Sequence, residues 1–271
     1  MPDRPLAKIV RWGFIALAIV ATLFPFYWTI VLSTQNTAQA FSSPSFFYVP
    51  TFEAFAEVAQ NNDYMASLGM SAMSVGLTVI LSLLVTVPAA YTLTRFRVRA
   101  RTGLILWLLI AYLLPDFLVA IPLYSLLQNL GLYDGPLGLA LAYQIFMIPL
   151  AMWLLLRFFA EVPEELAEAA RLDGASNSQI LVKIYMPIVR PGIATTAILI
   201  AITVWNEVNI ALALTLNHPT VPIAVATYKG YASIQWNELA AASLIAMAPV
   251  VIFAMFAQRY IVSGLAAGIG K

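Results

Sequence analysis

The chain has 271 residues, of which 62% are hydrophobic and 10% charged, against about 25% charged in an ordinary soluble domain. Apolar runs of this length cannot all be buried in one or two soluble domains of that size, so the bilayer is the expected solvent. Fourteen basic and thirteen acidic residues leave a formal charge of +1, which implies no nucleic-acid partner, and the lack of cysteine excludes disulfides, thiolate catalysis and cysteine metal sites.

A hydrocarbon layer about 30 Å thick takes roughly 20 apolar residues as helix. Six stretches meet that length, at 12–34, 68–95, 103–129, 135–158, 190–214 and 239–260, and they predict an all-α integral membrane protein with a single transmembrane domain. The third stretch is interrupted by Pro115 and Asp116, and the fifth contains Glu207. Pro122 and Pro149 predict further interruptions, where freed carbonyls need partners within the protein or from cavity water. The basic start and Ala38-Gln39-Ala40 also resemble a cleaved signal, but the first apolar run is longer than the roughly 7–15 residues of a signal core.

Basic residues are retained on the cytoplasmic side. With six spans and both termini inside, thirteen of the fourteen lysines and arginines fall in inner segments, and only Lys229 lies outside. The outer loops are then 35–66 and 215–238, residues 130–134 make a tight outer hairpin, and 261–271 is an inner tail.

Between the fourth and fifth spans lies a polar inner insert, 161–187. Pro163 suits a first helical position, Glu164 and Glu165 fall in the first turn where the helix dipole favours acids, and Leu166, Ala169 and Ala170 make one apolar face. Asp173-Gly174 predicts a stop with glycine in the left-handed conformation. Ser176 and Gln179 have capping-box spacing, Ile180, Leu181 and Ile184 share a face, and Pro187 is expected to end the second helix. The small residues at 169, 170 and 174 suit close docking, and Glu161, Glu164, Glu165 and Glu168 would be repelled by anionic lipid.

Glu168-Ala169-Ala170, three residues, Gly174, nine residues, then Ile184-Tyr185-Met186-Pro187 resembles the EAA loop of membrane subunits of bacterial ATP-binding-cassette importers; Met186 stands where that pattern has leucine. Trp205-Asn206-Glu207 is similar to the W-N-D/E of carbohydrate-importer permeases, and the ending from Gln258 to Leu265 resembles the tail of the shorter permease of maltose-type systems. The resemblance implies a heterodimer with a second permease, two cytoplasmic ATPase subunits, an extracytoplasmic solute-binding protein, and surrounding membrane lipid in the bacterial inner membrane. It also implies an ATPase-coupling site at Glu168, Ala169, Ala170, Gly174, Ile184, Met186 and Pro187, and an outer loop before the last span that probes the binding protein. Candidates for that contact are Tyr228, Lys229, Tyr231 and Gln235; an aromatic belt at the membrane interface explains Tyr231 and Trp236 as well.

A P-loop needs lysine followed by Ser or Thr after a glycine-rich turn, and none of the four lysines has that successor. The chain is therefore expected to bind no cofactor and to hydrolyse no ATP itself, with ATP and Mg held in the partner ATPase subunits. Asp116 and Glu207 would be costly facing lipid and are expected to face the bundle interior. Together with Tyr143, Gln144, Trp205, Asn206 and Asn209 they can line a solute path, or they can serve to hydrogen-bond neighbouring helices. The lone His218 carries no metal-site expectation, and no catalytic constellation is present. The function expected is import of a sugar or similar polyol. The alternatives are a phosphorylated polyol such as a glycerol phosphate, or ion-coupled secondary transport, which leaves the insert without a purpose.

Overall fold

The computed structural model describes residues 5–36, 48–228 and 235–268, and the described residues contain helices and no strand. In chain order the helices are α1 (Pro5–Thr34), α2 (Glu53–Gln60), α3 (Asn62–Arg95), α4 (Arg101–Tyr112), α5 (Asp116–Asn129), α6 (Pro136–Ala160), α7 (Glu165–Leu172) and α8 (Asn177–Ile180). A π-helical turn, Leu181–Tyr185, then leads into α9 (Met186–Trp205), followed by α10 (Asn209–Leu214), α11 (Val221–Thr227) and α12 (Trp236–Gly268). Five stretches are long and apolar enough to cross a membrane, or six if α4 and α5, which meet at a 94° bend, are counted together as one span. Pro115 accounts for the bend, because a proline disfavours helical backbone at the residue before it and supplies no N–H.

Several boundaries differ from the sequence expectation. Asn61 accepts the backbone N–H groups of Asp63 and Tyr64 at 3.1 Å, so α3 starts at Asn62 and not near 68. The loops at 35–66 and 215–238 contain α2 and α11, and α12 continues through most of the expected tail. Pro149 lies inside the unbroken α6, and Pro122 inside α5. The fifth span is not continuous: α9 stops at Trp205 and α10 starts at Asn209. Pro187 does not end a helix either. Met186 N–H bonds five residues back to Leu181, and this wider turn carries the chain from α8 into α9 with the proline at the start of the new helix, where its missing N–H leaves no gap.

The chain divides into two compact units, one made of Met1–Met65 with Val225–Met247 and the other of Ala66–Ala224 with Ala248–Lys271. In the first, α1 exposes Trp12, Phe14, Leu17 and Phe24 along its length, as an all-round apolar helix does when its solvent is not water. Tyr64 and Tyr228 meet edge to face at 6.2 Å, and the Tyr64 hydroxyl donates to Ala242 O at 2.7 Å.

The second unit contains α4 to α10, most of α3, the first residues of α11 and the end of α12. One face of α3 carries Ser67, Ser71, Ser74, Thr78, Ser82 and Thr86, three or four residues apart and all buried. Small hydroxyl side chains let helices approach closely where no hydrophobic drive exists between them. Thr78 and Thr86 donate to carbonyls one turn back, at Ser74 and Ser82, and Ser82 donates to Gln144 Oε1 of α6 at 2.8 Å. At one end of the unit Tyr91, Leu93, Leu155, Phe159, Val162, Ala167, Ile180 and Tyr185 form a core beneath the insert.

Candidate functional site

The insert is a helix, a glycine turn and a helix. Gly174 has φ +84, in the left-handed region, and Ala175 N–H bonds to Ala170 O at 2.9 Å to close the turn. Ser176 then caps α8: its backbone N–H donates to Gln179 Oε1 at 2.8 Å and its hydroxyl accepts from Gln179 N at 3.4 Å. Ala167, Ile180 and Tyr185 are fully buried, and this anchors both helices to the core.

The packed face is Ala167 with part of Ala170; of the apolar face read from the sequence, Leu166 and Ala169 are exposed and Ala170 is half-buried. Leu166 and Ala169 turn outward with Leu172, which is 90% exposed, and with Glu164, Glu165 and Glu168. Leu172 was missed in the sequence, although its i, i+3, i+6 relation to Leu166 and Ala169 marks it. Gly174 is exposed, Ile184 packs partly into the core, and Met186 and Pro187 are exposed at the start of α9.

The polar residues of the third, fourth and fifth spans meet where two of those spans are broken. Glu207 lies in the gap between α9 and α10, where its carboxylate accepts the N–H groups of Ile210 and Ala211 at 2.8 and 3.0 Å and the Tyr143 hydroxyl at 3.0 Å. It thus supplies the first turn of α10 with the acceptors that the broken helix withdrew. The Asn209 amide donates to Asp116 Oδ2 at 3.2 Å, joining the start of α10 to the start of α5. Asn206 and Asn209 are exposed and Asp116 is half-buried, so these three can reach a solute. Tyr143 and Trp205 are buried, and Gln144 is held between Ser82, Thr78 O and Ala140 O, packed on α3 away from that cluster. A groove of about 370 Å³ between α4 and α6, lined by Leu109, Leu113, Trp153 and Leu156, is apolar and holds none of the cluster.

A third polar centre was not foreseen. Asp134, at φ +59, accepts N–H groups from Leu216, Asn217 and His218 at 2.8, 3.0 and 3.1 Å, and side-chain contacts from Asn217 and His218 at 3.1 and 3.2 Å. Burial alone would raise its pKa, but the backbone and amide donors outweigh it and hold the carboxyl at about 2. It ties the α5–α6 turn to the chain after α10.

Of the residues put forward for the binding-protein contact, Lys229 and Tyr231 lie outside the described residues. Tyr228 is only 7% exposed, with its hydroxyl accepting from Asn61 Nδ2 at 3.3 Å, so it serves packing here. Gln235 is exposed.

Residues 86–266 match the family described as binding-protein-dependent transport system inner membrane component, and the chain belongs to that family. It is 33% identical over 261 residues to the trehalose/maltose transport system permease protein MalG of Thermococcus litoralis, covering 94% of each chain. It is 30% identical over 272 residues to the trehalose transport system permease protein SugB of Mycobacterium tuberculosis, covering 97% of this chain and 98% of that protein. The fold is shared with a solved bacterial ABC transporter involved in import of the acidic polysaccharide alginate, at TM-score 0.78 and 23% identity over 96% of this chain and 98% of that one.

Proposed function

We propose that this chain is the permease subunit of a sugar importer, paired with a second permease in the cytoplasmic membrane, driven by two ATPase subunits and supplied by an extracytoplasmic binding protein. The observation that carries the reading is the insert: firmly packed on one side, with Leu166, Ala169 and Leu172 turned outward among glutamates on the other. A short apolar stripe ringed by charge is what a socket in another protein recognises. The insert lies at the end of the bundle that holds Arg97, Arg99 and Arg101, which the retention of basic residues assigns to the cytosol. ATP and Mg belong to the partner subunits, and no lysine of this chain has a P-loop successor.

Asp116, Asn206 and Asn209, with Glu207 behind them, offer amide and carboxylate groups suited to hydroxyls. Two acids and no cation in this cluster suit a neutral sugar better than a phosphorylated polyol. The sugar-carrying names of the relatives support the same choice.

Purification through a tag on this chain tests the reading: a nucleotide-binding subunit should accompany the wild type and be lost, by about tenfold or more, from Leu172→Asp at equal membrane level, since a charge in an apolar socket costs on the order of 2 kcal/mol or more. Equal recovery of that subunit with both proteins would defeat it.

A further inference from the structure

We propose that Arg95 is the positioning residue that fastens the insert to α3, so that movement of the insert is passed to the second span as well as to the fourth and fifth. This rests on the coupling role proposed above. The Arg95 Nη2 donates to Phe159 O at 2.5 Å and to Val162 O, and its guanidinium lies 5.0 Å from the centre of the Tyr185 ring. Phe159 and Val162 belong to the chain entering the insert, and Tyr185 to the chain leaving it. One side chain at the end of α3 therefore holds both roots of the hairpin.

The chemistry suits arginine better than lysine. No carboxylate lies within ion-pair distance of Arg95 among the described residues. Its charge is met instead by Phe159 O in the last turn of α6, at the negative end of that helix, by Val162 O just beyond it, and by an aromatic face. A single Nη2 group bonds both carbonyls while the planar guanidinium lies over the ring; a lysine ammonium can reach the carbonyls but presents no plane to stack. Tyr91 and Phe159 complete the socket, Tyr91 at 5.0 Å edge to face with Tyr185 and Phe159 stacked on it at 6.1 Å. The neighbouring Arg97, Arg99 and Arg101 are exposed, as charges that only mark the cytosolic side would be. Arg95 alone of the four is drawn inward.

The cluster is also incompletely bonded. Arg95 Nε and the hydroxyls of Tyr91 and Tyr185 are buried without hydrogen-bond partners among the described residues.

The test uses the assembled importer in lipid nanodiscs and proteoliposomes, with solute uptake and ATP hydrolysis measured on the same preparation. Arg95→Met should keep the ATPase subunits bound and hydrolysis within about twofold, while the solute moved per ATP falls about fivefold or more; Arg95→Lys should recover part of the loss. The chain has no cysteine, so spin labels can be placed singly at Thr92→Cys on α3 and Asn177→Cys on α8, both exposed positions. Their separation should stay constant when nucleotide is trapped in the otherwise wild-type complex and change in Arg95→Met.

A wild-type ratio of uptake to hydrolysis in Arg95→Met, with label separation insensitive to nucleotide, overturns the proposal. If Arg95→Met does not accumulate, Tyr185→Leu, which removes the aromatic face and keeps an apolar side chain, decides by the same two readings. Absence of the ATPase from the wild-type preparation would instead defeat the coupling role itself.

Discussion

Glu207 shows how a half-buried acid can hold a broken helix together. Its carboxylate serves two backbone donors and a tyrosine hydroxyl, so Glu207→Ala leaves three donors without their acceptor and should destabilise the protein by about 3 kcal/mol or more. Tyr143→Phe removes one donor only and should cost about 1 kcal/mol. Thermal inactivation in detergent ranks the two, and the reverse order would mean that Glu207 is not the cap of α10.

Asp134 yields a pH dependence of definite sign. Its folded pKa of about 2 lies below the ordinary 3.8, so its stabilisation is whole above about pH 4 and is lost as pH falls through about 2. The stability difference between wild type and Asp134→Asn should therefore shrink on acidification only below about pH 4, read as the gap between their melting temperatures. A gap that closes between pH 7 and 5 would show that another group sets it.

In the insert, Gly174 has φ +84 and open space around its missing side chain, so a substitution meets no clash and only backbone strain, about 1–2 kcal/mol. Gly174→Asp adds that strain and a negative charge beside the outward stripe. Uptake should fall severalfold with membrane level unchanged, measured by solute accumulation against an immunoblot. Normal uptake would separate the glycine turn from coupling.

The insert is also where the sequence could be read best. Capping box, glycine stop and the EAA spacing are local, with their cause in residues a few positions apart, and the Ser176–Gln179 pair forms as its spacing requires. The face of α7 was harder to read. Leu166 and Ala169 do turn outward, but the residue buried in the core is the small Ala167, which nothing in the local pattern singles out. Pro187 misled for a similar reason: proline breaks a helix only if the register before it is kept, and a π-turn changes the register.

For the chain as a whole, span number and the bend at Pro115 follow from hydropathy and proline alone. The gap at 206–208 does not, because no glycine or proline marks it; it exists because Glu207 replaces the lost acceptors, and that requires Tyr143 from α6 to lie opposite. The Asp134 centre joins residues more than eighty positions apart and has no local signature. The sequence thus offers candidate polar residues, while which of them carry scaffold hydrogen bonds depends on contacts between distant helices that it does not display.

The file of serines and threonines along α3 bears on how such an assembly can move at all. Thr78 and Thr86 each already bond to their own helix, to a carbonyl one turn back. A neighbouring rod can therefore slip or roll across that surface without stranding those two hydroxyls in oil. Along this file friction is concentrated at Gln144, which Ser82 and Thr78 O both hold, so the bearing between the second and fourth rods has one detent at mid-length and the Arg95 clasp at its end.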